Sequence, residues 1–151
     1  TQGWLTPILE AFQSAENIAA VQPKILDYKN KDYFEYAGAG GGYIDFLGYP
    51  YCRGRIFNTL EKDTGQFNDS TQIFWASGAC LALKKEAFIK AGGFDEDLFA
   101  HQEEIDLCWR MQQQGGSIQQ KTCNLIDYKL SKQLFFLYRS EQEQLMLQKV
   151  Q

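Results

Sequence analysis

The stretch from Gly92 to Arg110 concentrates the side chains that could do chemistry. Six carboxylates (Asp95, Glu96, Asp97, Glu103, Glu104 and Asp106) and His101 follow the double glycine Gly92-Gly93. Phe94, Leu98, Phe99, Ile105, Leu107 and Trp109 are interleaved with them. Acids set among large apolar residues belong at the edge of a core, where their charges are costly and where acid–base chemistry is usually found. Plain structural roles compete with that reading. Glu103 and Glu104 fall where a helix would begin, and the positive end of the helix dipole favours acids in a first turn. Asp106 is spaced to pair with Arg110 at i+4, a scaffold role. Asp95, Asp97, His101, Glu103 and Asp106 also fall near calcium-loop positions, but Ala100 stands where the sharp turn needs glycine, which argues against calcium.

Positioning these groups falls to a succession of short elements. Trp4, Leu5, Ile8, Leu9 and Phe12 form a helical stripe from Gly3 to about Glu16, with Pro7 tolerable in the first turn. Ile18–Leu26 reads as a strand in which Pro23 suggests an edge or a bend. Residues 27–70 lose periodicity and are rich in glycine and aromatics, so they are expected to be a functional loop or disordered; the aromatics favour order. Thr71–Leu83 is β-like but broken by the small residues Ala76-Ser77-Gly78-Ala79, where something can approach the backbone closely. Lys84–Ala91 fits a short helix closed by Gly92, and Glu103–Gln114 a second one ended by Gly115-Gly116. The spacing of Leu134, Phe135, Leu137, Tyr138, Leu145 and Met146 predicts a third, amphipathic helix over 131–149.

At 151 residues, 44% apolar and 23% charged, the chain is sized for one soluble globular domain. A net charge of −4 and a pI of about 5.0 argue against a nucleic-acid partner, which would want a basic face. No apolar run approaches the roughly 18 residues of a membrane span, and no signal-peptide pattern is visible. Cys52, Cys80, Cys108 and Cys123 contain no C-x-x-C pair, so a zinc–thiolate site is not expected, and buried, reduced cysteines in a cytoplasmic protein are. The chain begins with Thr1 instead of Met, which suggests a piece of something longer.

Four linked blocks carry a resemblance. Trp75-Ala76-Ser77-Gly78-Ala79-Cys80, Lys84-Lys85-Glu86-Ala87-Phe88, Gly92-Gly93-Phe94-Asp95-Glu96, and His101-Gln102-Glu103-Glu104-Ile105-Asp106-Leu107 with Arg110 resemble, in order and spacing, the acceptor-side half of a family 2 glycosyltransferase. Gly41-Gly42, Ile44-Asp45, Gly48-Tyr49-Pro50 and Arg53-Gly54-Arg55-Ile56-Phe57 resemble an insertion found in bacterial members. The likeness covers about residues 2–116 and fades over 117–151, which is expected to be an extension of the same domain or a tail.

The resemblance implies an α/β chain with a partial GT-A fold, a mixed sheet flanked by helices. The nucleotide-binding half, with its Asp-x-Asp metal motif, is expected to lie outside the chain, upstream of Gly3-Trp4-Leu5. It further implies inverting transfer of a sugar from a nucleotide-sugar donor to a glycan or lipid-linked acceptor, aided by Mg or Mn in the full-length parent. The parent is expected at the cytoplasmic face of a bacterial membrane, with possible peripheral membrane association, and the isolated chain is expected to be inactive.

By the same resemblance Glu103-Glu104 matches the family's acidic pair. Glu104 takes the base position, one methylene longer than the commoner Asp. A general base of this kind needs a pKa raised by burial or by a neighbouring acid. Asp95, His101, Trp75, Ser77 and Gly78 are candidates for the acceptor side, and Arg53 and Arg55 for the leaving diphosphate, which arginine geometry suits. Against these stand a turn role for Asp95, a structural role for His101, a core role for Trp75 and solvated loop charges for the arginines. No histidine occurs in 117–130, where the family often places one near the metal. A carbohydrate-binding or interaction module built from the aromatic, glycine-rich segment is the alternative from another class.

Overall fold

Strand Ile18–Leu26 (β1) is buried along its whole length, because both faces of the sheet around it are covered. The computed structural model describes residues 5–98, 102–126, 134–139 and 144–149. On one face lies helix Leu5–Ser14 (α1), whose Ile8, Ala11 and Phe12 pack on Ile18, Val21 and Ile25. On the other lie the helices Lys85–Lys90 (α2) and Glu103–Gln113 (α3), with Ile105, Leu107, Cys108 and Met111 in one cluster with Ala19 and Ala20 and with Phe34, Cys52 and Trp75 from the segment after β1.

Between β1 and the helices run short strands: Gly42–Ile44 (β2), Pro50–Cys52 (β3), Arg55–Ile56 (β4), Thr59–Leu60 (β5), Thr71–Ile73 (β6) and Leu81–Lys84 (β7). Ser117–Ile126 (β8), Leu134–Arg139 (β9) and Gln144–Lys149 (β10) complete the chain. The main sheet has the order β10-β9-β7-β1-β8-β6. It is mixed: β1 runs parallel to β8 and β7 parallel to β9, while the β1–β7, β8–β6 and β9–β10 pairs are antiparallel. The expected α/β architecture, a mixed sheet flanked by helices, is therefore present.

One expectation is met by its second alternative and one needs correction. Pro23 lies in a central strand, so it marks the bend and not the edge of the two roles read for it. The strand tolerates it because the β1–β7 ladder involves only Ala20 and Val21, and because the β1–β8 register shifts between Pro23 and Lys24, so the missing N–H falls at an irregularity. The amphipathic helix over 131–149 is not formed. Leu134–Arg139 and Gln144–Lys149 are instead an antiparallel pair, docked on the sheet through β7. Leu134-Phe135-Phe136-Leu137-Tyr138 is aromatic-rich and suits a pleated surface, and a non-local partner decided between two periodicities.

Residues 27–70 are ordered, and two buried polar residues of β1 hold them. Lys24 donates from Nζ to Asp63 Oδ2 at 2.6 Å and to Asn68 Oδ1 at 2.7 Å. Gln22 donates from Nε2 to Gly38 O at 2.8 Å and accepts the Ser77 N–H at 2.6 Å. The β2–β3 and β4–β5 hairpins project from the segment so anchored.

Candidate functional site

Helix α3 begins at the acid-rich run, and Glu103, Glu104 and Asp106 occupy its first turn, where the helix dipole favours them. The helix is fastened by its last turn. Arg110 grips Asp106 Oδ2 through Nε at 2.8 Å and Nη2 at 2.5 Å, the i+4 pair read from the sequence. The same guanidinium donates to Gly93 O at 2.8 Å and to Ala91 O. These last two bonds reach the turn after α2, where Gly92 and Gly93 take φ of +86° and +76°. Those left-handed conformations let the Gly92 and Gly93 N–H groups close the helix onto Ile89 O and Phe88 O. Asp106 and Arg110 are thus scaffold: they set the angle at which α3 presents Glu104.

Glu104 is buried, 9% exposed, at the inner edge of that turn. Two thiols lie within reach of its charge, Cys108 one turn along α3 and Cys52 from β3. Burial pushes the Cys108 thiol up to about 12, with the backbone N–H of Ala76 opposing and the Glu104 charge adding. Cys52 is pushed up to about 11, again chiefly by burial, against the lowering effect of Arg55 and with Glu35 and Glu104 adding. Both are therefore neutral thiols, unsuited to nucleophilic or metal chemistry near neutral pH. Cys52, Cys80 and Cys108 are all buried, as the sequence led us to expect; the Cys123 side chain lies outside the described residues.

The segment 74–80 crosses between the sheet face and α3, carrying the chain from β6 to β7. Below it Gln22 accepts the Ser77 N–H. Above it Cys108 Sγ accepts the Ala76 N–H at 3.5 Å, and Gln112 donates to Phe74 O at 2.8 Å. Ser77 and Gly78 are buried, and Ser77 Oγ accepts the Ala79 N–H at 3.2 Å. Trp75 is buried, with its indole N–H on Tyr43 O at 3.0 Å and its ring flat against Gly42. A Cβ on Gly42 would stand 1.9 Å from the ring, so only glycine fits there.

Candidate residues therefore fall into groups. Glu104, Trp75, Ser77 and Gly78 are brought to one region by α3 and the crossing segment. Arg55 joins them from β4, where its charge acts on the Cys52 thiol and its guanidinium lies 4.4 Å over the Tyr36 ring. Arg53 is engaged elsewhere: Nε donates to Gly40 O, Nη2 to Gln120 Oε1, and the guanidinium lies 4.7 Å over the Phe67 ring. Those bonds fasten the segment to β8. Glu103 is half-buried, and its Oε2 accepts the Gln102 N–H at 3.1 Å. Asp95 is exposed and closes a turn by accepting the Asp97 N–H at 3.0 Å. His101 lies outside the described residues.

The sequence does not single out Gln22 and Lys24, and it marks Cys52 and Cys108 only as buried thiols, not as neighbours of Glu104. For the first two, the polar–apolar alternation Val21-Gln22-Pro23-Lys24-Ile25 was the available signal, and it reads more naturally as a solvent face.

A cavity of about 540 Å³ opens at the other end of β1, between Glu16, Asn17, Lys84, Lys90 and Gly116, away from Glu104. Among the described residues no group of three His, Cys, Asp or Glu side chains converges to hold a metal ion, and no reaction step is assigned to one. No helix among them is long and apolar enough to cross a membrane.

Comparison with known proteins gives the class of the relatives. No protein-family model matches the chain, and no solved structure matches it. The chain is similar to the N-acetylglucosaminyl-diphospho-decaprenol L-rhamnosyltransferase of Mycobacterium tuberculosis, in two strains. It is 44% identical over 75 residues, which are 50% of this chain and 24% of the relative. It is also similar to polypeptide N-acetylgalactosaminyltransferase 4 of Caenorhabditis elegans, 30% identical over 134 residues, or 84% of this chain and 22% of the relative. These relatives are glycosyltransferases, and the chain spans about a quarter of their length.

Proposed function

We propose that this chain is the acceptor-side part of a family 2 glycosyltransferase domain with the GT-A fold, and that Glu104 is its general base. The observation that carries the reading is the placement of Glu104. It is a buried carboxylate at the start of a clamped helix, beside the crossing segment Trp75–Gly78 and flanked by thiols that do not compete for its role. Its likeness over part of its length to two kinds of glycosyltransferase supports the reaction class.

In the reaction proposed, the acceptor hydroxyl oxygen attacks the anomeric carbon of a nucleotide-sugar donor and the carbon–oxygen bond to the diphosphate breaks. The nucleoside diphosphate leaves with the bonding electrons, and Glu104 receives the hydroxyl proton. Attack from the face opposite the leaving group inverts the anomeric centre. Trp75, Ser77 and Gly78 form the wall against which the acceptor rests, and Arg55 stands on the insertion side. Glu103 supports Glu104 from the same helical turn, and Asp95 shapes the preceding turn. The donor site and the Mg or Mn it would use belong, in this reading, to the rest of the full-length protein, which works at the cytoplasmic face of a membrane on a glycan or lipid-linked acceptor.

Replacing Glu104 by Gln in the full-length protein tests the reading. Loss of a positioned general base costs roughly 10²- to 10⁴-fold in kcat, and Glu104→Asp should recover part of it. An unchanged transfer rate in Glu104→Gln would refute the base assignment. A second reading, a carbohydrate-binding module without catalysis, draws on the stacked Tyr43–Tyr51 pair, whose Tyr51 ring is half-exposed. Glycan binding by the full-length protein, with no transfer from any nucleotide sugar, would favour it.

A further inference from the structure

Two hairpin turns hold large apolar side chains out of the fold. In the β2–β3 turn Phe46 is 94% exposed and Leu47 67%, and at the β4–β5 hairpin Phe57 in the turn is 90% exposed and Ile56 at the end of β4 63%. Single exposed apolar residues are ordinary on a protein surface, but adjacent pairs at the tips of two hairpins in one segment are not. The first tip is also closed on itself. Asp45 Oδ1 accepts the N–H groups of Leu47 and Tyr49, each at 2.9 Å. Asp45 O accepts the Gly48 N–H, and Tyr49 O accepts the Asp45 N–H, both at 3.0 Å. Its backbone donors at 45, 47, 48 and 49 are therefore satisfied within the turn, which lowers the cost of taking this tip out of water. Following the tip toward β3 stand Tyr49, 67% exposed, and Tyr51, 50% exposed, each a ring with a polar end.

Phe46 at the tip with Leu47, and tyrosines following toward the strand, is the composition of a membrane-interface contact, where amphipathic rings sit at headgroup level. A folded partner or second copy would need a broad complementary face of many hundreds of Å², whereas a narrow tip fits a medium that deforms around it. A free sugar would engage the tyrosines and leave Phe46 and Leu47 without a purpose. We propose that the Asp45–Tyr49 turn enters the interfacial layer of a lipid bilayer, with Ile56-Phe57 as a second apolar contact. For the reaction proposed above this makes the acceptor a lipid-linked one whose lipid stays in the membrane; the bilayer contact itself does not depend on that reading. With a net charge of −4 the attachment is apolar in origin and persists at high salt.

Co-sedimentation of the full-length protein with phosphatidylcholine vesicles, with and without phosphatidylglycerol, at low and high salt, tests the proposal. Wild type should bind in both salts. Phe46→Ser with Leu47→Ser should weaken binding roughly tenfold or more while the thermal melt is unchanged, since both side chains are exposed. Phe57→Asn, which suits the φ of +50° at that position, should weaken it less. A tryptophan in place of Phe46 should shift its emission to the blue on adding vesicles. Wild type that ignores vesicles, a double variant that binds them equally, or loss of self-association instead of vesicle binding would each overturn the proposal. Vesicle binding lost in the variant of a protein that transfers no sugar would uphold the contact and sink the function proposed above.

Discussion

Lys24→Met puts the anchoring of the insertion to a quantitative test. The Lys24 side chain is 1% exposed and Asp63 13%, and the ammonium bridges Asp63 and Asn68 at 2.6 and 2.7 Å. Methionine keeps most of the volume and removes the charge, so the Asp63 carboxylate is left poorly solvated and without its cation. Breaking a buried pair from one side costs about 3–5 kcal/mol. Because Asp63 keeps a little solvent contact, the lower half of that range is expected, about 3–4 kcal/mol. With a urea m-value of about 2 kcal/mol/M, the unfolding midpoint should fall by about 1.5–2 M. Replacing both partners, Lys24→Met with Asp63→Leu, removes the stranded charge and should recover about 2 kcal/mol or more. Equilibrium urea unfolding followed by tryptophan fluorescence measures all three proteins. A single variant within about 1 kcal/mol of wild type, or a double variant as unstable as the single, would refute the view that this pair holds residues 61–68 onto β1.

Two further predictions rest on other contacts. Gly42→Ala places a methyl group inside the Trp75 ring, so the ring must leave its bed; a loss of about 3 kcal/mol or more is expected, with the Trp75 indole N–H signal displaced in the NMR spectrum. A melting temperature close to wild type would show that the crossing segment yields freely. Alkaline stability follows from the thiols. Their folded pKa values lie above the ordinary thiol range, at about 11 for Cys52 and about 12 for Cys108, so above about pH 9 the unfolded chain releases protons that the folded chain retains. Stability is unaffected below that pH and falls as pH rises toward 11–12, by up to about 1.4 kcal/mol per pH unit for each thiol. Cys108→Ala should flatten the decline, seen by urea titration at a series of pH values; an unaltered slope would deny the thiol its part.

Local features were legible where a local cause decides them. The apolar stripe of α1, the glycines that stop α2 and α3, and the Asp106–Arg110 spacing depend on neighbours within one or two turns, and they stand as read. Residues 131–149 were misread because the spacing of Leu134, Leu137, Tyr138 and Leu145 satisfies a helix as well as two strands. The arbiter, pairing of Phe135–Tyr138 with Leu81–Lys84, lies some fifty residues away in sequence. Lys24 and Gln22 illustrate the same limit. Polar residues alternating with apolar ones in a strand ordinarily face water, and only the wrapping of residues 27–70 over that face turns them into buried struts.

The sequence by itself determined α1, β1, α2 and α3, the scaffold pair on α3 and the candidate carboxylates, because composition, period and turn residues are written along the chain. What Glu104 faces was decided only by the tertiary structure. Its neighbours Cys52, Cys108 and the Trp75–Gly78 segment come from β3, α3 and the crossing between β6 and β7, and they meet because the sheet and the anchored insertion close around one helix end. Burial and the proximity of charge are properties of that enclosure, and no run of residues carries them alone.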